Sequence, residues 1–386
     1  MFLAACSDHE PTKFGPPVPI DVPSTGDVTG PRFTSTQDGQ PVLSWMERLD
    51  EGATLRSAEF RNGEFDAAVT VVDDPLMFVN WADLPSVTAL GNGHWIAHWL
   101  RYSAEKTYSY DVVVSRSFDD RETWSEPLAV HTDGTQTEHG FVSVAPEADG
   151  ATLLWLDGRY TPDASMTLRS AFISAEGQRE HEQEIDNSVC DCCQTDIAVS
   201  SRGLLAVYRD RTVDEIRDIY IARHDGERWL DGKRLFADNW KIPGCPVNGP
   251  SIVADGDFVA VARFSAADDH PVVRVVMSTD GGEQFGPPIE IAAGRVFGYV
   301  GLAQLDERHL AISWVGRTVE GRSPVYLRSV DVERTTPGPV VEVGTTKQLR
   351  VFPQLAVSDG KAIVVWTDDV DDGRIMKAAA SPWHGT

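Results

Sequence analysis

The chain has 386 residues, with 34 basic against 59 acidic side chains and a net charge of −25. That charge repels nucleic acid and anionic lipid surfaces, so neither is an expected partner. No stretch approaches the roughly 18 consecutive apolar residues of a membrane-spanning helix.

At the N-terminus, Leu3-Ala4-Ala5-Cys6 resembles a bacterial lipobox, in which export is followed by cleavage before the cysteine and lipidation of its thiol. Residues 1–6 therefore read as the remnant of a lipoprotein signal with Cys6 as the lipid anchor. Residues 7–29 are rich in Pro, Thr, Gly and Asp and read as a tether. Within the tether, Pro16–Pro23 has strand-like spacing and is the candidate for a strand that closes the last sheet. The expected location is the bacterial cell envelope, periplasmic or at the outer membrane, and the expected state is monomeric.

From residue 30 to 386 one pattern recurs. A Pro, Gly or Ser entry leads into an apolar strand, a Gly/Asp/Asn turn, and a second strand ending in an aromatic and a charge. Copies begin at Gly30, Leu84, Gly140, Cys193, Gly249, Tyr299 and Phe352. Each reads as a β-hairpin, and strand-like pairs such as Tyr110–Ser117 follow the first six. Four strands per unit, repeated radially at roughly fifty residues, predict an all-β propeller of four-stranded antiparallel blades in a single domain. Seven blades follow from the count, with six as the alternative. No long segment has helical periodicity, so helices should be scarce.

Ser278, Asp280, Gly282 and Phe285 fit the Asp-box pattern S-x-D-x-G-x-x-[WF]; Ser117, Asp119 and Trp124 fit it with Arg121 at the Gly position. The carboxylate and hydroxyl of such a box satisfy turn amides, so its role is structural. These boxes, with Val189–Asp196 and Gly244–Pro250, make the chain resemble bacterial Asp-box repeat lipoproteins of the sialidase-like propeller family. That resemblance implies an arginine triad that holds a substrate carboxylate, a Tyr–Glu nucleophile and an Asp acid/base. On the repeat, Arg32, Arg295 and Arg350 fall at the entries of neighbouring blades 1, 6 and 7, with Tyr299 and Asp83 in place to stand for nucleophile and acid. The Arg-Ile-Pro signature of that family is absent, because Arg32 lies in Gly30-Pro31-Arg32-Phe33. No glutamate is evidently paired with Tyr299, and sialidase propellers have six blades.

Besides Cys6, the chain has Cys190, Cys192, Cys193 and Cys245. On the repeat all four converge at the entries of blades 4 and 5, with His139, Asp191, Asn248 and Trp240 as neighbours. Three readings stand. Two structural disulfides suit an exported chain with an even cysteine count. A copper or zinc site would draw on Cys190 and Cys192, which share a side in an extended segment, with Cys245 and His139. A redox-active thiol pair is the third.

Of the eleven tryptophans, Trp99, Trp155, Trp314 and Trp366 end the second strand of a unit and read as packing residues. Trp81 and Trp240 fall in entry loops and read as ligand-stacking residues, with Asn248 beside them. The functional expectation is a ligand- or metal-binding module without true sialidase chemistry. The alternative is a sialidase-like glycoside hydrolase acting on an anionic glycan. The expected partner is accordingly a metal, a small molecule or a glycan.

Overall fold

A computed structural model describes residues 13–385, apart from 162, 318 and 319. Cys6, the expected lipidation site, lies outside the described residues. The chain forms seven antiparallel sheets, each with strands in chain order from the centre outwards. Blade 1 comprises Val28–Ser35, Pro41–Arg48, Ala53–Arg61 and Val69–Asp74, with Glu64–Phe65 as a short extra strand. Blade 2 comprises Ser86–Gly91, His94–Tyr102, Tyr110–Ser117 and Leu128–Ala129, and blade 3 His139–Glu147, Gly150–Asp157, Met166–Ser174 and Arg179–Val189. Blade 4 comprises Asp196–Ser200, Gly203–Arg209, Ile219–Arg223 and Lys233–Arg234, and blade 5 Ser251–Asp255, Phe258–Ser265, Val272–Ser278 and Ile289–Ala293. Blade 6 comprises Val296–Asp306, His309–Gly316, Ser323–Asp331 and Thr336–Thr346. Blade 7 takes only Gln354–Ser358, Lys361–Val370 and Gly373–His384 from the C-terminal end. Among the described residues the one helical turn is Ala267–Asp269. The fold is a seven-bladed β-propeller.

The ring closes on its own chain ends. Val18–Ile20 pairs antiparallel with Ala378–Ala380 on the outer edge of blade 7. Lys13 and Phe14 pair with His384 and Trp383. At the centre each inner strand packs beside the next, and that of blade 7 packs beside that of blade 1.

Apolar side chains on both faces of each sheet bury themselves between neighbouring blades. Met46 and Leu55 of blade 1 meet Trp95 and Trp99 of blade 2, and Val28 and Trp45 of blade 1 meet Ile363 and Ala378 of blade 7. The paired aromatic and charge that end each second strand have a joint purpose here. A buried indole must place its N–H, and Trp45 donates to Glu47 Oε1 at 2.9 Å while Trp155 donates to Asp157 Oδ2 at 2.7 Å. Trp99 of blade 2 donates to Asp74 Oδ2 at the end of the outer strand of blade 1, at 2.9 Å. Trp314 and Trp366 are buried in the same layer.

Both Asp-box segments sit at the turn between the third and fourth strands of their blades. Ser278 Oγ donates to Asp280 Oδ1 at 2.6 Å, and the Gly282 N–H donates to Ser278 Oγ at 3.0 Å. Gly282 has φ +84°. Arg121 holds the matching left-handed conformation at φ +72°, with its guanidinium 4.4 Å from the Trp95 ring and paired with Glu59. The charge and stacking contacts offset the strain that glycine would avoid. Phe285 and Trp124 pack beneath their turns, half-buried.

Ile20 and Val22 are half-buried against the cluster shared by blades 7 and 1. Replacing both with Asp is expected to lower the melting temperature of the ring by about 3–5 °C, from a desolvation cost of about 2 kcal/mol per carboxylate. An unchanged thermal melt would show that the N-terminal strand adds nothing to closure.

Candidate functional site

The inner strands of all seven blades line a central channel of about 470 Å³. The segments entering these strands form its mouth, and at bulges near the start of two of them a backbone N–H is bonded by a side chain from the preceding blade. Phe141 and Tyr299 both adopt left-handed φ values, +54° in each case. The Phe141 N–H donates to both carboxylate oxygens of Asp83, at 2.9 and 2.8 Å, and the Tyr299 N–H donates to Asn248 Oδ1 at 2.6 Å. Asp83-Leu84-Pro85 and Asn248-Gly249-Pro250 are therefore equivalent clasps, each reaching from one blade to the next.

Asn248 is also the hub of the cysteine sector. Its amide donates to Cys193 Sγ at 3.4 Å, its side-chain Nδ2 to the carbonyls of Pro246 and Phe297, and its own carbonyl accepts from Arg209. Cys190 follows the outer strand of blade 3 and anchors its N–H on the Arg209 carbonyl at 2.9 Å. Asp191–Cys192 is a turn, not the extended segment expected, so the period-two argument fails and Cys193 swings back to Cys190. Their sulfurs lie 3.4 Å apart, and the Sγ atoms of Cys190, Cys192 and Cys193 all fall within 4.8 Å of one another. Cys192 also faces Cys245, on the exposed loop that enters blade 5. All four thiols are free, without the two disulfides of the first of the three readings.

The charge around these thiols is concentrated on one sulfur. Arg217 Nη1 donates to Cys190 Sγ at 3.2 Å. Hydrogen bonds from Cys192 and Cys193, aided by the charges of Arg209 and Arg217, hold the Cys190 thiol far below its ordinary value. Cys193 is pushed up to about 12, chiefly by burial, and Cys192 is also raised, chiefly through its bonds to the other thiols. Two guanidinium groups behind Cys190 thus favour the charged form there, whereas burial opposes it at Cys193. Sequence position alone does not single out Arg209 and Arg217; the charge that closes each second strand is the available signal for Arg209.

Of the four expected neighbours, Asn248 and Asp191 adjoin the thiols, and His139 lies elsewhere. His139 does not join the cysteines: it is fully buried against His131 and Asp133 between blades 2 and 3. Trp240 is a packing residue, 7% exposed, with Phe264 on one side and the Arg209 guanidinium 4.9 Å from its ring. Its loop folds inwards because the Trp240 N–H donates to buried Asp218 at 3.0 Å. Asn248 is buried with its amide satisfied, so it positions its neighbours and presents nothing to a ligand. Asp191 pairs with Arg211 at 3.4 Å.

The three arginines are not brought into one clamp. Arg32 lines the channel, donating to the Val142 carbonyl at 2.6 Å; burial lowers its pKa, opposed by Asp196 and Asp83. Arg350 lines a second cavity, of about 550 Å³, where its guanidinium lies 5.4 Å from the Trp81 ring. Arg295 is exposed and lines neither cavity; its Nη2 approaches the Arg317 carbonyl at 3.4 Å. Trp81 stacks on Phe352 at 5.6 Å, and Tyr299 packs edge-on against Phe352 at 4.8 Å. Burial raises the Tyr299 hydroxyl above its ordinary value, with Arg350 opposing. Among the described residues no hydrogen bond joins that hydroxyl to a carboxylate.

No family model matches the chain, and no curated protein matches it in sequence. Solved structures share its fold. A protein of unknown function from Dyadobacter fermentans is 13% identical with a TM-score of 0.53, covering 97% of this chain and 99% of its own. The polysaccharide lyase Uly1 is 11% identical at a TM-score of 0.52, covering 92% and 90%. A point mutant of the α-L-arabinofuranosidase Arb93A of Fusarium graminearum is 11% identical at 0.52, covering 84% and 99%. Propellers of glycoside hydrolases and polysaccharide lyases are thus its structural neighbours, and at these identities the likeness is one of fold.

Burial pushes the Asp83 carboxyl up to about 7 from an ordinary 3.8. The folded chain therefore holds that proton more tightly than the unfolded chain does. The resulting stability is complete below about pH 4 and is lost as pH rises towards 7. Asp83→Asn keeps an acceptor for the Phe141 N–H, as Asn248 does for Tyr299, but cannot titrate. The melting temperature of the wild type relative to Asp83→Asn is expected to fall as pH rises from 4 to 7; parallel profiles would show that Asp83 is ionised throughout.

Proposed function

We propose that this propeller binds a thiophilic metal ion, Cu(I) or Zn(II), through Cys190, Cys192 and Cys193, with Cys245 completing the set from the blade 5 loop. The observation that carries this reading is three sulfurs within 4.8 Å of one another on a single turn. Tetrahedral or trigonal thiolate coordination at about 2.3 Å places sulfurs at such separations. Arg217 and the Asn248 amide, donating to Cys190 and Cys193, supply the hydrogen bonds that bound thiolates need, and the two arginines offset their charge. A cell-envelope location through lipidated Cys6 belongs to the same proposal.

Protein purified under reducing conditions is expected to take up one Cu(I) per chain in competition with a chromophoric chelator. Cys190→Ser with Cys193→Ser should weaken that affinity on the order of 100-fold, and Arg217→Gln by about tenfold. Two intact disulfides in the purified chain, or wild-type affinity in the double variant, would remove the proposal.

A second reading, action on an anionic glycan, is favoured by the cavity that Trp81 lines with Arg350, Lys347 and Arg374, the last paired with Asp369. The lyase and the arabinofuranosidase named above lend it the precedent of their fold. Turnover of a sialoside or a uronic-acid polysaccharide, reduced at least tenfold by Arg350→Ala, is its expected signature; no turnover by the wild type would leave cavity and fold without an enzymatic role.

A further inference from the structure

The four thiols form a series that runs from the core to the surface. Cys190 is fully buried and Cys193 is 2% exposed, whereas Cys192 is half-buried and Cys245 is exposed. Cys190 and Cys193 stand at either end of the Asp191–Cys192 turn, a Cys-x-x-Cys spacing, with their sulfurs 3.4 Å apart. Cys192 Sγ lies within 4.8 Å of both of these sulfurs, and Cys192 also faces Cys245. Sulfur thus makes a continuous row from the exposed blade 5 loop to a buried pair that solvent does not reach.

The two ends of the row are held differently. The Cys190 N–H donates to the Arg209 carbonyl at 2.9 Å, Arg217 Nη1 donates to Cys190 Sγ at 3.2 Å, and the Asn248 N–H donates to Cys193 Sγ at 3.4 Å. The outer sulfur rides on the stretch between Ile242, whose N–H donates to the Glu215 carbonyl at 3.0 Å, and Asn248. A side chain at Gly244, just before Cys245, would meet no atom within 4 Å. Thiol–disulfide exchange requires the attacking sulfur to touch the disulfide it opens. Cys245 has that access to a molecule in solution, and the inner pair does not. A disulfide bond is about 2.05 Å long, so the inner pair closes with a shift of about 1.4 Å.

We propose that these cysteines form a thiol–disulfide relay, which reduces a low-molecular-weight disulfide from solution and stores the oxidation as a Cys190–Cys193 bond. The Cys245 thiolate attacks one sulfur of the external disulfide; that S–S bond breaks and the first external thiol leaves. Cys192 then attacks Cys245 Sγ, the second external thiol leaves, and a Cys192–Cys245 bond forms. Cys190 attacks Cys192 Sγ and frees Cys245, and Cys193 attacks Cys190 Sγ and frees Cys192. The protons lost by the inner thiols end on the two external thiols, so one disulfide is reduced for each one formed. Cys190 precedes Cys193 because attack by Cys193 on Cys192 would join adjacent residues and strain the backbone. Cys190 Sγ also accepts from Arg217, a charge-assisted contact that steadies it as it attacks. The inner bond removes two of the sulfurs offered to a metal, so oxidation and metal binding exclude each other. The relay itself runs in the metal-free chain and does not rest on the metal reading.

The probe is cystamine, a cationic disulfide suited to a chain of net charge −25. Metal-free, fully reduced protein is given one equivalent, quenched in acid, alkylated and mapped by peptide mass. The wild type is expected to release two thiols and to end with a Cys190–Cys193 bond. Cys192→Ser should stop at a mixed disulfide on Cys245 with one thiol released, and Cys245→Ser should slow oxidation of the inner pair about tenfold or more. If either variant does not fold, wild type sampled at early times gives the same order: label on Cys245, then a Cys192–Cys245 bond, then the inner bond. An inner bond that forms as fast in Cys245→Ser, or a label that stays on Cys245 of the wild type, would overturn the relay. Failure of the reduced chain to take up Cu(I) would remove the metal reading and leave these outcomes unchanged.

Discussion

The channel mouth depends on a repeated solution to one constraint: N–H groups near the start of the inner strands face away from their own sheet and need an acceptor. A buried N–H without an acceptor costs more than most single contacts return. The preceding blade supplies the acceptor. Asp83 reaches Phe141, Gln194 reaches Gly249 at 3.2 Å, Asp196 reaches Ile252 at 2.9 Å, and Asn248 reaches Tyr299. These clasps fix the left-handed residues, and through them the aromatic group of Trp81, Tyr299 and Phe352. They also leave little space beside them: a side chain at Gly298 would begin 2.2 Å from Asn248 Oδ1, and one at Gly140 equally close to Asp83 Oδ2.

The same constraint governs the thiols. Asn248 joins the clasp on blade 6 to Cys193 on blade 4, and Arg209 secures Asn248 while its own carbonyl anchors Cys190. One asparagine thus bonds both Tyr299 of the aromatic group and a thiol. The thiol cluster is built where the connection from blade 3 to blade 4 turns, at Asp191–Cys192, and side chains there need not alternate.

That distinction separates what the sequence made legible from what it did not. Blade number, strand order and the buried tryptophans follow from period and alternation, because a strand sends side chains to known faces. Convergence of Cys190–Cys193 with Cys245 followed from the same register. Directions within the entry segments did not. Cys192 and Cys193 exchanged roles because Asp191–Cys192 turns, Trp240 folded inwards onto Asp218, and His139 turned to blade 2. Arg32, Arg295 and Arg350 share a level on the repeat, yet they point into a channel, outwards and onto an indole respectively. Position along a repeat fixes height and sector, and only local hydrogen bonds fix aim.

The pairing of Val18–Ile20 with Ala378–Ala380 has a consequence for how such a chain is made. The strand that seals the seventh sheet is synthesised before the rest of the ring, and its partner about 360 residues later. Until then the early strand has no ladder to join, and the growing stack of blades carries an unsealed edge that invites pairing with another chain. The ring therefore matures in one late step, in which two ends that have never met must find each other before a neighbour does.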